Sequence, residues 1–180
     1  PGVHVGVEIE VARGLGKRDL VSVKAIRLSA SHGWESQFGE WDGAFVRNTR
    51  VAAQQAYREA GVRDPEAEIG LVEAHDCFSV TELVTMEDLG LSADGRAAFD
   101  ILDGKFDRAG TVPCQVDGGL KCFGHPVGAS GLRMAYEVYA QLSGRAGARQ
   151  LGSVDLGLTH NLGGAPFNSV SAVSILGRMT

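Results

Sequence analysis

Three things are scarce in this chain, and each absence excludes something. Cysteine occurs three times, an odd number without paired spacing. That excludes a disulfide framework and a zinc-ligand pattern, so no metal is expected and a reducing, cytoplasmic setting is the reading. Basic charge is outweighed, with 17 Lys and Arg against 22 Asp and Glu, a net charge of −5 and a pI near 5.5. A nucleic-acid groove or an anionic membrane surface is therefore not the main partner. No apolar run approaches the roughly 18 residues that a membrane span needs, and the N-terminus has neither a charged n-region nor a cleavage pattern. Linkers, low-complexity tracts and internal repeats are missing as well. At 180 residues, 44% hydrophobic and 22% charged, the composition is that of one domain able to bury a real core. The chain starts at Pro1 without a methionine, and its first residues read as a strand tail entering a helix, which leads us to expect a fragment of a longer polypeptide.

The apolar pattern alternates between short strands and helices. Val7 to Leu15 reads as a brief helix closed by Gly16, and Leu20 to Ala30 as a strand rich in Val and Ile. A loop from Ser31 to Trp41 follows. Asp42 can cap a helix from about Ala44 to Ala60 that Gly61 ends. Ile69 to Ala74 is a short buried strand, Ser79 to Leu89 a helix stopped by Gly90, and Asp94 to Leu102 a further short helix. Residues 103–119 are polar and turn-rich. Ser130 to Ser143 carries Leu132, Ala135, Tyr136, Tyr139 and Leu142 in one stripe, and Leu156 to His160 with Val170 to Leu176 close the chain as strands. This order predicts a mixed α/β layer structure, a sheet of five or nearly five strands with helices on both faces.

Three loops carry candidate chemistry. Gly118 to Gly131 holds five glycines, His125 and Pro126, and runs into a helix. Its backbone can take positive φ angles and come close to a ligand, and the helix amides favour an oxyanion, a phosphate or an enolate oxygen. A histidine that merely caps a carbonyl is the plainer alternative. His75-Asp76-Cys77-Phe78 puts an imidazole, a carboxylate and a thiol before a helix, where a lowered thiol pKa would make Cys77 a general acid/base or a nucleophile. An inert buried cysteine and a capping Asp76 would give the same tetrapeptide. In Thr159-His160-Asn161-Leu162-Gly163-Gly164, His160 and Asn161 either donate to an oxygen under the glycine loop or only close a hairpin.

Taken in order, these loops resemble the C-terminal half of thiolase-fold enzymes over essentially the whole chain. Val72-Glu73-Ala74-His75-Asp76-Cys77-Phe78-Ser79-Val80-Thr81-Glu82-Leu83, with Glu87-Asp88-Leu89-Gly90-Leu91, is similar to the sterol-carrier-protein type of that superfamily, which includes acetyl-CoA acetyltransferases and lipid-transfer-protein-like members. A Gly-His-Pro loop and a last glycine-rich hairpin follow, as in the family. Where other thiolases carry a Cys-x-Gly cysteine in that hairpin, this chain has His160-Asn161, as the sterol-carrier-protein subgroup does.

The resemblance implies an acyl-CoA acyltransferase that forms or cleaves 3-ketoacyl-CoA by Claisen chemistry, with a coenzyme A thioester as substrate and no covalently bound cofactor. Residues 1–180 would be the C-terminal domain, and the N-terminal half with the nucleophilic cysteine would lie outside them, leaving the isolated chain inactive. His125 would serve the nucleophile, Cys77 would move the α-proton, and His75 would contribute to the oxyanion site. His160 and Asn161 would lie nearby, and Gly124, Gly163 and Gly164 would let the backbone approach the substrate. Cys114, after Pro113 in a strand-like stretch, and Cys122, inside the glycine loop, read as structural. Dimerisation or higher assembly is implied too. Some thiolase-like lipid-transfer proteins are instead retro-aldolases on steroid side-chain CoA thioesters, working with a zinc-ribbon/OB-fold partner and using active-site tyrosines. Here Phe123 precedes Gly124 and Cys77 centres the first motif, which favours thiolytic or condensing chemistry. A non-catalytic acyl-CoA or lipid-binding module is the third reading.

Overall fold

The computed structural model describes residues 8–31, 43–165 and 168–179. The expected Asp42 cap and most of the tryptophan-bearing loop lie outside them. Four strands form one mixed sheet in the order β1-β4-β3-β2. β1 (Val21–Ala30) runs antiparallel to β4 (Asn168–Arg178), from Val21 opposite Arg178 to Ala30 opposite Val170, with an irregularity between Val23 and Ala25. β4 runs antiparallel to β3 (Leu156–Ala165), and β3 runs parallel to β2 (Leu71–Glu73), with Glu73 opposite Thr159. The expected five or nearly five strands are four among the described residues, with one isolated bridge on the far side of β2. There Val72 N–H donates to Pro113 O at 2.9 Å and Gln115 N–H donates to Val72 O at 2.9 Å, so Val72 and Cys114 pair in parallel.

Strand periodicity sends alternate residues to opposite faces, and a different helix covers each. On one face lies α2 (Arg47–Ala60), after the short α1 (Ile9–Gly14). Its Ala52, Ala53, Ala56 and Tyr57 pack on Ala25, Leu158, Val173 and Ile175. α2 starts at Arg47 rather than Ala44. Asp88 accepts from Val46 N–H at 2.7 Å and pairs with Arg50 Nε at 2.6 Å, and it ties that start to the next helical layer. The helix ends at Gly61, whose left-handed φ of 79° lets its N–H bond back to Tyr57 O. α3 (Pro65–Glu68) is one turn capped by Asp64.

The parallel β2–β3 pair needs a long crossover. Residues 74–155 supply it with α4 (Ser79–Asp88), α5 (Ala97–Leu102), α6 (Gly119–Phe123), α7 (Ser130–Leu142) and a 3₁₀ turn at Gly147–Arg149. α4 joins the α2 side, where Met86 and Leu89 belong to the same core. α7 takes the opposite face, with Val138 and Leu142 against Leu71, Val154 and Leu176. It sits so close to β3 that a Cβ on Gly157 would lie 2.5 Å from Val138 Cγ1.

Two expectations are corrected here. Thr159 to Gly164 is not a loop but the second half of β3, which continues to Ala165 because every residue from Leu156 onward finds a partner on β4. The glycine-rich segment is not an uninterrupted loop either, since residues 119–123 wind into α6.

Candidate active site

β2 and β3 are parallel, so their carboxyl ends meet at one edge, the place where α/β sheets generally bind ligands. His75, Asp76 and Cys77 leave β2 there, and His160 and Asn161 follow Thr159 on β3 at the same level. The third segment arrives from the α7 side. A Cβ on Gly131, in the first turn of α7, would come within 3.2 Å of Asn161 Oδ1, so Asn161 packs against the end of the histidine-bearing loop. His125 and His75 meet with ring centroids 4.9 Å apart at 74°, edge to face. The predicted convergence is thus found.

Each imidazole is held differently. His125 Nδ1 is 2.8 Å from Ser130 Oγ, the first residue of α7, and that hydroxyl is also 3.4 Å from Pro126 O. His75 is buried with Nδ1 unpartnered among the described residues. Burial pushes its pKa down, the nearby His125 adds to this, and Asp76 opposes it. His160 is fully buried, with Nε2 3.2 Å from Thr49 Oγ1 on α2 and Nδ1 unpartnered. Burial first and His75 second hold it down to about 3, so the ring is neutral at physiological pH.

The carboxylate of the first motif is structural. Asp76 accepts from Leu120 N–H at 2.8 Å and Lys121 N–H at 3.4 Å, which puts it at the start of α6 rather than of its own helix α4. A Cβ on Gly119, at φ 59°, would lie 2.5 Å from Asp76 Oδ2, so the clamp requires glycine there. Cys77 is half-buried, with Sγ 3.8 Å from Thr81 Oγ1 in the first turn of α4. Gly124 adopts a φ of 73°, and Gly164 a φ of 91° where a Cβ would lie 2.3 Å from Asn168 O. Gly163 has open space around its Cα. Cys114 packs on the core, and burial followed by the Glu82 carboxylate pushes its thiol up. Cys122, read from the sequence as structural, is exposed and so is not packed in the core.

Behind the histidines lies a charged cluster that sequence reasoning missed. Arg133 on α7 bonds Asp117 and, at 3.2 Å, Glu73 Oε2, while the Phe123 ring lies 5.2 Å from its guanidinium carbon. Glu73 is raised to about 9, by burial first and the Asp117 carboxylate next, with Arg133 opposing. The cluster joins β2, the residue before the glycine segment, and α7. Ser130 and Thr49 are the other partners the sequence did not single out. Only Ser130 offered a signal, a hydroxyl at a helix start just after the Gly-His-Pro loop.

Comparison with known proteins agrees with the geometry. The family described as Thiolase C-terminal domain-like matches residues 30–178. An acetyl-CoA acetyltransferase of Methanothermobacter thermautotrophicus is 41% identical over 127 residues, covering 71% of this chain and 32% of that protein. Sterol carrier protein 2 of Gallus gallus is 40% identical over 116 residues, covering 64% and 21%. The chain therefore spans between a fifth and a third of these relatives. Among solved structures, an Ltp2-ChsH2(DUF35) aldolase superposes with a TM-score of 0.67 at 24% identity, over 84% of this chain and 38% of that one. The Acat5 thiolase of Ascaris suum, in complex with coenzyme A, gives 0.58 at 19% identity, over 96% and 34%. With a mixed sheet, helices on both faces and a family match over most of its length, this chain belongs to the thiolase family, in its C-terminal domain-like region.

Proposed function

We propose that this chain is the acid/base and oxyanion half of an acyl-CoA acyltransferase that makes or cleaves 3-ketoacyl-CoA. The observation that carries the reading is the edge-to-face pair of His75 and His125 at the carboxyl end of the sheet, with His125 oriented by Ser130. The nucleophilic thiolate comes from an N-terminal half outside these residues. It attacks an acyl-CoA, coenzyme A leaves as the thiol, and an acyl-enzyme thioester forms. His125 takes the proton from that nucleophile. Cys77 gives its proton to the departing coenzyme A and, in the form left behind, removes the α-proton of a second acyl-CoA, and the enolate carbon attacks the acyl-enzyme carbonyl. A carbon–carbon bond forms and the enzyme thiolate is released.

Developing negative charge on the thioester oxygen needs preorganised donors. A neutral imidazole donates one N–H without losing a proton, and the depressed pKa of His75 and His160 suits them to that task. Asn161 adds an amide beside the first turn of α7, and Gly124, Gly163 and Gly164 leave the backbone open to close approach. The substrate class is a coenzyme A thioester, consistent with the relative named acetyl-CoA acetyltransferase and the superposing thiolase that holds coenzyme A. We place the protein in the cytoplasm, as a homo-oligomer, with a zinc-ribbon/OB-fold partner as a further candidate. Among the described residues no helix is long and apolar enough to cross a membrane.

The test is an assay of the full-length protein with acetoacetyl-CoA and coenzyme A. Thiolysis to acetyl-CoA is expected. Aldol cleavage of a 3-hydroxyacyl-CoA without thiolysis would assign the retro-aldolase reaction instead, and binding of acyl-CoA without turnover would leave a carrier module.

A further inference from the structure

Below the histidine pair a short polar relay runs through the core on the α2 side. Ser171 Oγ on β4 lies 3.1 Å from Thr49 Oγ1 on α2, and Thr49 Oγ1 lies 3.2 Å from His160 Nε2 on β3. All three residues are buried. Thr49 stands near the start of α2, fixed by its own N–H to Val46 O at 2.9 Å. Water does not reach such a site freely, so the protons must be accounted for within the protein.

Two directions are open to the relay. In one, Ser171 donates to Thr49, Thr49 donates to His160 Nε2, and the single proton of the neutral ring sits on Nδ1. In the other, His160 Nε2–H donates to Thr49 and Thr49 donates to Ser171. The serine proton then has no acceptor in the relay, and Nδ1 is an unmet acceptor as well. The first direction leaves one unmet group, Nδ1–H, where the second leaves two. An unmet buried group costs about 1–3 kcal/mol, so the first direction wins. Nδ1 has no partner among the described residues, and it is the atom left to address a ligand oxygen or an ordered water.

We infer that Thr49 is a positioning residue that holds His160 as its Nδ1–H tautomer, so that a residue on the covering helix sets the donor on β3. This rests on the proposed oxyanion role of His160 for its catalytic consequence, but not for the tautomer.

Long-range proton–nitrogen correlation spectra of the full-length protein with isotope-labelled histidine rings read the tautomer directly. The His160 ring is assigned by its loss in His160→Gln. Nδ1–H is expected in the wild type and in Thr49→Ser, which keeps the hydroxyl. Thr49→Val, which keeps the shape and removes the hydroxyl, should move the ring toward Nε2–H or a mixture. Turnover should fall by about ten- to a hundredfold in Thr49→Val, taking the scale known for the hydrogen-bond partners of metal-ligating histidines, and recover in Thr49→Ser. Acylation of the nucleophile should persist in both. An Nε2–H ring in the wild type, or equal losses in the two variants, overturns the inference. Should Thr49→Val fail to fold, the wild-type and Thr49→Ser spectra decide the matter. Absence of any thiolysis in the wild type would sink the proposed function and leave the tautomer result standing.

Discussion

The two faces of the sheet are finished in different ways. α2 is an ordinary surface helix, its alanines and Tyr57 pressed on the strands and Gln54, Arg58 and Glu59 turned to solvent. The opposite face is covered by α7 over β2, β3 and the Leu176 end of β4, and not over β1. Beyond it, Val23, Ile26 and Leu28 of β1, with Val170 of β4, project from that face and are exposed. α7 is itself apolar on both sides, since Leu132 and Tyr136 are more than 60% exposed while Met134 and Val138 are fully buried. Isolated exposed apolar residues are common, but a stripe along a strand beside a doubly apolar helix marks a contact surface. The difference teaches that one face is finished as an outside, and we read the other as an inside that further protein covers; the matched segment makes up 32% and 21% of two relatives.

The candidate site straddles the two faces, and the largest predicted effects use that. His125 stands at the mouth of α7 and Cys77 at the mouth of α4, on the α2 side. In the full-length protein Cys77→Ala should lower turnover by roughly two to four orders of magnitude, the scale of a lost general acid/base, while an acyl adduct still forms on the separate nucleophile. His125→Ala should weaken the adduct too. Mass spectrometry after mixing with an acyl-CoA reads both. If the adduct vanishes only with Cys77, then Cys77 is the nucleophile, and if both variants keep full activity the fold has outlived the function.

Two isoleucines on neighbouring strands put the faces themselves to the test. Ile175 of β4 is fully buried in the α2-side core, whereas Ile26 of β1 is 59% exposed on the other face. Ile175→Ala should destabilise the chain by about 2–5 kcal/mol, and Ile26→Ala by no more than about 0.5 kcal/mol. Denaturant unfolding of the two variants measures the contrast. Similar losses would mean that both faces are closed and that the comparison above is wrong.

Much of this was legible beforehand, because periodicity reports which residues face a core. The strand at 21–30, the helices ending at Gly61 and near Leu89, and the helix at 130–142 follow from alternation and from glycine stops. What failed to show was long-range. β3 continues through His160, Asn161 and two glycines because β4 lies beside it, and local sequence there reads as a turn. Asp76 was legible as a cap but not for a helix 44 residues away at Leu120, and Thr49 gives no sign of touching His160. The histidines that meet were visible as residue types in loops, while the partners that orient them depend on tertiary packing.

The buried titratable groups give the faces opposite pH signatures. His160, on the α2 side, is held at about 3 when folded and titrates near 6.5 when unfolded. Below that upper value the unfolded chain takes up a proton that the folded chain refuses. Stability is therefore fully present above pH 6.5 and is lost as pH falls toward 3. His75 acts in the same direction. Glu73, under α7, is raised to about 9 from an ordinary 4.5, so its protonated form favours the fold at low pH and its contribution is lost as pH rises between those values. His160→Gln should flatten the acid limb of a stability–pH curve and Glu73→Gln the alkaline limb. Unchanged limbs would show that the buried groups titrate as they do in the unfolded chain.

The smallest change in fold stability should come with a large change in association. Leu28→Lys and Tyr136→Lys alter only exposed side chains, on β1 and α7, so each should leave unfolding within about 0.5 kcal/mol of the parent. Yet both place a charge on the surface that we read as an interior, and a charged side chain cannot be covered there without a partner. The 180-residue chain alone should therefore self-associate, and the double variant should be monomeric at the same concentration by analytical ultracentrifugation. In the full-length protein the same pair should be severely disruptive, because there the cover is present and the lysines would be buried. A parent chain that is a stable, monodisperse monomer would count against the half-domain reading. A full-length protein indifferent to both lysines would show that the stripe faces solvent in the complete molecule, leaving α7 a surface helix like α2.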